Sequence, residues 1–185
     1  MNGSMFRIPV RSDLELRLAV YSHAEEVFEL VQENRRHLAA WLPWVEETRS
    51  AADIAEWIRR GLEQFARNEG WQALLWHEGC VAGAIGFKPV DWVSMRVEIG
   101  YWLAEEFQGK GLMTAAARVA TDYAFAEWRL NRVEIRCSVD NVRSAAIPRR
   151  LGFEQEGMLR QAFRVGDVYQ DLFLFGMLRE RWNRG

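Results

Sequence analysis

One stretch restricts the architecture of this chain more than any other. It is Glu105-Glu106-Phe107-Gln108-Gly109-Lys110-Gly111-Leu112-Met113-Thr114. A run with strand-like alternation, Arg96 to Leu103, leads into it, and an apolar-periodic helix, Leu112 to about Phe125, leads out. Two glycines, a lysine and no proline lie between them. A glycine-rich turn that opens a helix gathers unpaired backbone N–H groups at the positive end of the helix dipole, which suits a phosphate or pyrophosphate. Glycine also lets the backbone approach such an anion with no Cβ in the way. The spacing is neither Gly-x4-Gly-Lys-Ser/Thr nor Gly-x-Gly-x-x-Gly.

The rest of the chain supplies a mixed sheet around that turn. Leu14 to Val20 alternates as a half-buried strand, with residues 1–12 read as a loosely ordered lead-in. Ser22-His23-Ala24-Glu25 has the pattern of a capping box. Val27, Leu30, Val31, Leu38 and Trp41 then recur at helical spacing up to Pro43. Ser50-Ala51-Ala52-Asp53 opens a further helix that ends near Gly70. Trp71–His77 and Cys80–Phe87 form a hairpin about Glu78-Gly79. Val133–Val139 alternates as a strand, and Asn141–Leu151 reads as a short helix. Inside that helix Pro148 has no N–H to give to the carbonyl of Ser144. Phe153–Arg160 and Tyr169–Leu178 close the chain as a strand pair around Gly166-Asp167. The order predicts an α/β fold with a strand–helix–strand unit at its centre, in a single domain over residues 1–185.

Glu98-Ile99-Gly100-Tyr101-Trp102-Leu103 followed by Gln108-Gly109-Lys110-Gly111-Leu112-Met113 resembles the coenzyme A segment of the GNAT N-acetyltransferases, whose signature is Gln/Arg-x-x-Gly-x-Gly/Ala. Met113 departs from its last position. The Rim-type branch, which acetylates ribosomal-protein N-termini, is the most similar, over about Leu14 to Leu178. The resemblance implies a mostly antiparallel sheet in which two parallel strands, here Arg96–Leu103 and Val133–Val139, splay apart around the pantetheine arm. It implies acetyl-CoA as cofactor, held by Tyr101, Trp102, Leu103, Gln108, Gly109, Lys110, Gly111, Leu112, Met113, Thr114 and Asn141. A backbone N–H near Trp102 or Leu103 would face the thioester oxygen. Asn141-Val142-Arg143-Ser144 is similar to the Rim-type Asn-x-x-Ser, with Asn141 on the pantetheine amides and Ser144 facing the sulfur. Many relatives place a tyrosine in this helix, and here there is none. Trp41-Leu42-Pro43-Trp44 with Glu46 and Glu47 would wall the acceptor groove, and relatives are often homodimers.

Each assignment has a plainer alternative. Glu98 is the candidate general base, or else a solvated strand glutamate or a partner for Arg96 or Arg136. Asn141 and Ser144 share a helix face, but Asn141 also suits an N-cap. Lys110 either touches phosphate or is an exposed lysine beside Glu105 and Glu106. Trp41 walls a groove or packs in the core. Phe175 is assigned packing.

Charge and cysteine usage bound the partners. With 24 basic and 26 acidic side chains the net charge is −2, which argues against a nucleic-acid partner. Cys80 and Cys137 lack metal-ligand spacing and read as reduced core thiols, and His23, His37 and His77 are scattered, so no metal is expected. Without an apolar run long enough to span a bilayer or a cleavable leader, the expectation is a cytoplasmic protein with no membrane partner. The acceptor's own chemistry sets the demand on a base. An α-amino group, with a pKa of about 7.7–8.0, is roughly a tenth neutral at pH 7, whereas a lysine at about 10.4 is neutral in only a few parts per ten thousand. The expected activity is acetyl transfer to an amine by direct attack in a ternary complex, with a protein N-terminus first. A small amine or antibiotic, or a non-catalytic acyl-CoA-binding module, are the alternatives.

Overall fold

A computed structural model of the chain describes residues 6–182. Eight strands form one sheet: β1 (Arg7–Arg11), β2 (Leu14–Leu18), β3 (Gln72–His77), β4 (Cys80–Phe87), β5 (Arg96–Leu103), β6 (Arg132–Ser138), β7 (Glu154–Val165) and β8 (Val168–Leu178). Their spatial order is β1-β2-β3-β4-β5-β6-β8-β7. Every neighbouring pair is antiparallel except β5 and β6, which are parallel. The α/β fold with a parallel pair at its centre is therefore present as expected.

Among the described residues seven α-helices flank the sheet: α1 (Ala24–Glu33), α2 (Arg35–Ala39), α3 (Trp44–Glu47), α4 (Ala51–Ala66), α5 (Leu112–Ala126), α6 (Val142–Arg150) and α7 (Arg179–Trp182). One apolar cluster packs the α5 face of the sheet, where Leu112, Ala116 and Ala120 meet Val97, Ile99 and Ile135. The second lies on the opposite face, where Val27, Val31, Ile54 and Ile58 of α1 and α4 meet Leu74 and Ala84. Burying both faces of the central strands explains why β4 is almost continuously apolar.

Several boundaries differ from the sequence reading. Residues 7–11 are a strand paired with β2; residues 1–5 of the expected lead-in lie outside the described residues. Pro9 is tolerated there because β1 is a sheet edge, where no ladder partner needs its N–H. The helix expected from Ser22 to Pro43 is broken. Asn34, buried, leaves helical geometry at φ −103° and ψ 10°. Its amide donates to the Leu30 carbonyl at 3.1 Å while its side-chain oxygen accepts from the Glu105 N–H at 2.8 Å. Pro43 does not end a helix but caps the short α3. The capping box expected at Ser22 is absent: Ser22 lies within a 3-10 turn, Tyr21–His23, and α1 starts after His23 with no side-chain cap. Ser50 and Asp53 do form one, at the expected start of α4. Cys137 is buried, but Cys80, at the hairpin turn, is exposed and so is not a core thiol. β7 runs five residues beyond the predicted Arg160, because an irregularity between Leu159 and Phe163 disrupts its alternation. Gln161 sits there at φ 48°, its N–H held by Asp171 Oδ1 at 2.7 Å.

Candidate active site

The parallel pair is joined only over four residues, from Arg96 opposite Arg132 to Ile99 opposite Ile135. Beyond it, Gly100–Leu103 and Arg136–Ser138 remain extended but make no pairs with each other. A cavity of about 1850 Å³ occupies this break. Its lining includes the consecutive residues Gly100, Tyr101, Trp102 and Leu103, whose side chains alternate between the two faces of the sheet. The cavity therefore passes through the sheet rather than lying on it.

On the α5 face the cavity ends at the glycine turn. Gly109 and Gly111 hold φ of 76° and 73°, and a Cβ built on either meets nothing within 4 Å. Gly111 is the N-cap of α5 and offers no side-chain cap to the first-turn N–H groups. This is an open cradle of free donors at a 15-residue helix, which fits a pyrophosphate. Gln108 braces the turn from both sides. Its amide nitrogen lies 2.7 Å from His37 Nε2, and its oxygen accepts from Arg143. Arg118, Arg143 and Arg150 also line the cavity, with Arg150 donating to Thr114 Oγ1 at 3.3 Å. These three cations and His37 were missed in the sequence. Thr114 and Arg118 are four residues apart on α5, a spacing that could have flagged the second. Met113 is buried, directed away from the cradle into the core. Lys110 is not part of the lining; its ammonium lies over the Phe107 ring at 5.2 Å.

At the break itself stand Tyr101, Cys137, Asn141 and Ser144. Asn141 is the N-cap of α6, with Oδ1 accepting from the Ser144 N–H at 3.0 Å. Capping uses only that oxygen, so the amide NH₂ stays available to the cavity. Tyr101 Oη donates to the Ser144 carbonyl at 3.2 Å, and Ser144 Oγ donates to Tyr101 Oη at 3.3 Å. Burial pushes the Tyr101 phenol far above its usual range. Burial raises the Cys137 thiol as well.

On the α4 face the lining continues with Trp41, Pro43, Trp44, Glu47 and Trp57. Trp44 packs at 6.0 Å against Trp102, fixing this wall to β5. Trp41 is half-buried, outside both core clusters. Glu46 is exposed and does not line the cavity.

Glu98 lines the cavity one residue before the last position at which β5 pairs with β6, opposite Glu134. Its carboxylate is shared by Lys88 Nζ at 2.6 Å and Arg136 Nε at 3.4 Å. Arg136 was one of the two partners named from sequence; Arg96 instead reaches Asp91 and Glu134. Glu134 is buried, which alone would raise its pKa, but Arg132 and Arg136 hold it below the usual carboxylate value.

A donor cradle for a diphosphate at one end, an aromatic wall at the other and a break in the sheet between them define a transferase that brings a phosphate-bearing donor to an acceptor through the sheet. Residues 13–154 match the acetyltransferase (GNAT) domain, and the chain belongs to that family. YdaF of Bacillus subtilis (strain 168), an N-acetyltransferase by name, is 38% identical over 96% of this chain and 98% of its own length. The ribosomal-protein-serine acetyltransferase of Escherichia coli (strain K12) is 29% identical over 92% of this chain and 96% of its own. The solved structure of RimL, a ribosomal L7/L12 α-N-protein acetyltransferase in complex with coenzyme A, superposes with a TM-score of 0.90 at 29% identity, covering 94% of this chain and 98% of that one. The protein is accordingly an acetyl-CoA-dependent acetyltransferase.

Proposed function

We propose that the acceptor is the α-amino group of a protein N-terminus, as the name of RimL, an α-N-protein acetyltransferase, states for that protein. The observation that carries this reading is the passage through the sheet, which joins the anion cradle to a half-open wall of Trp41, Trp44 and Trp57 with Glu47 at its edge. Aromatic faces and a carboxylate suit a cationic, extended chain end. Acetyl-CoA supplies an acetyl group activated as a thioester.

The residues divide the work along the cavity. Backbone N–H groups of Gly109, Gly111 and Leu112, with Arg118, Arg143 and Arg150 beside them, would hold the phosphates. The Asn141 amide would hold the pantetheine amides. The unpaired edge of β5 at Trp102 and Leu103 would supply the donor for the thioester oxygen. Glu98 would draw the amine in as a cation and take its proton through water, releasing one partner to do so. Once Glu98 has taken the first proton, a new C–N bond forms as the C–S bond breaks, the sulfur leaves as a thiolate, and the nitrogen's second proton passes through that water to solvent. The Ser144 hydroxyl would donate to the departing sulfur, whose reference pKa of about 8.5 asks for little help.

The test is labelled acetyl transfer to two peptides, one with a free N-terminus and no lysine, the other blocked and carrying an internal lysine. The free α-amine should be acetylated and the lysine scarcely, for the ionisation reason given above. Preference for the blocked peptide would overturn the reading, and labelling of only small metabolites from a cell extract would replace it with a small-amine acceptor.

A further inference from the structure

Pro148 sits inside α6 and withholds the N–H that would ordinarily satisfy the carbonyl of Ser144. A carbonyl left bare beside a cavity would take whatever donor came near, including an incoming ligand. In this fold the donor comes from another element: Tyr101 on β5 reaches that carbonyl at 3.2 Å. The same phenol oxygen accepts from the Ser144 hydroxyl at 3.3 Å. Ser144 is thus held at both of its oxygens by one side chain, and α6 is tied to β5 across the opening where the sheet comes apart.

We propose that Tyr101 is a positioning residue for acyl transfer: its hydroxyl occupies the carbonyl that Pro148 leaves free and thereby fixes the Ser144 hydroxyl toward the break between β5 and β6. This rests on the reading of Ser144 as the group that faces the leaving sulfur. When the Ser144 hydroxyl turns its proton to the sulfur, the phenol keeps its own hydrogen bond to the Ser144 carbonyl and so holds the residue in place. No proton changes owner in that step. The phenol keeps its own because burial disfavours its ionisation, and the serine keeps its own because it only hydrogen-bonds the sulfur. A phenylalanine in place of Tyr101 would retain the ring and lose both bonds.

A merely structural tyrosine would be replaceable by any donor to the Ser144 carbonyl. Pro148→Ala supplies one, by returning the helical N–H. The experiment therefore crosses Tyr101→Phe with Pro148→Ala and with Ser144→Ala in the full chain. The melting temperature is read without ligand. Thiol release from acetyl-CoA is read with hydroxylamine as a surrogate amine, which does not depend on the identity of the acceptor.

Tyr101→Phe should lower kcat about tenfold with KM for acetyl-CoA within about twofold, the low end of what hydrogen-bond assistance gives. It should also lower the melting temperature. Adding Pro148→Ala should recover the melting temperature and leave kcat depressed. In the Ser144→Ala background, Tyr101→Phe should change kcat less than about twofold, because the two act as a unit. Recovery of kcat together with the melting temperature would overturn the proposal, as would an unchanged kcat in Tyr101→Phe or full additivity with Ser144→Ala. If Ser144→Ala alone leaves kcat intact, the reading of Ser144 fails and the proposal with it. Failure of the unmodified chain to accelerate thiol release above background would overturn the placement of the acyl-transfer site.

Discussion

Gly111 and Gly79 share a backbone conformation and differ in what lies in front of them. Gly111 has φ 73° at the cradle and Gly79 φ 87° in the β3–β4 hairpin, and a Cβ at either meets nothing within 4 Å. Valine at either position is forced into the left-handed region, at a cost of about 1–2 kcal/mol. In a chain of 185 residues, each kcal/mol lowers the melting temperature by roughly 2–4 °C. Both Gly111→Val and Gly79→Val should therefore melt roughly 2–8 °C lower, on these principles. Only Gly111→Val adds a branched side chain to the space an anion would fill. Losing one charge-assisted bond from a backbone N–H to a phosphate costs about 1.5–3 kcal/mol. That is roughly 10- to 150-fold in Kd. Isothermal titration with coenzyme A reads the affinity and a thermal melt the strain. Equal affinity in Gly111→Val and the unmodified protein would remove the glycine turn from the site. Equal loss in both variants would show that strain, rather than contact, is responsible.

Three further outcomes follow from the site's geometry. Glu98→Gln should lower kcat/KM for a free α-amine peptide about tenfold at pH 7 and partly recover at pH 9, where the amine is neutral unaided; an equal loss at both would leave Glu98 only the task of spacing Lys88 and Arg136. Asn141→Asp keeps the oxygen that caps Ser144 and loses the NH₂, so coenzyme A affinity should fall with little change in melting, whereas Asn141→Ala should also lose about 1 kcal/mol of capping. Unchanged affinity in Asn141→Asp, read by titration, would make Asn141 a cap alone. Asp91 is held at a pKa of about 2, against an ordinary 3.8, first by the Ser94 N–H and then by Arg96. A lowered folded pKa gives stability that is complete above the unfolded value and lost as pH falls toward the folded one. The stability gap between the protein and Asp91→Asn should be constant above about pH 5 and shrink as pH falls through the window from 3.8 to about 2; a gap undiminished at pH 2 in acid denaturation would exclude the charge as its cause.

The glycine turn was legible because its chemistry is local: a strand, two residues with no Cβ and a helix start are written consecutively. The splayed pair was named through the resemblance, and the end of pairing at Ile99 could not be read from either strand by itself. What stayed hidden depends on partners distant in sequence. Asn34 breaks its helix because Glu105 waits for its side chain. Lys88, just past β4, joins the expected Arg136 on Glu98 because the sheet register brings it there. The defect that Pro148 creates was visible, but its remedy, Tyr101, lies 43 residues from Ser144. The α5 N-terminus offered no clue to Arg143 and Arg150, which reach it from α6.

The gap between β5 and β6 has a consequence for traffic. Because the cavity crosses the sheet, the proposed reading gives donor and acceptor separate doorways. Under it a protein acceptor would stay outside on the α4 side and thread only its N-terminal tip inward, so the passage would limit the girth of that tip and not the size of what carries it. The spent donor would then be exchanged from the other side without the acceptor's doorway being cleared.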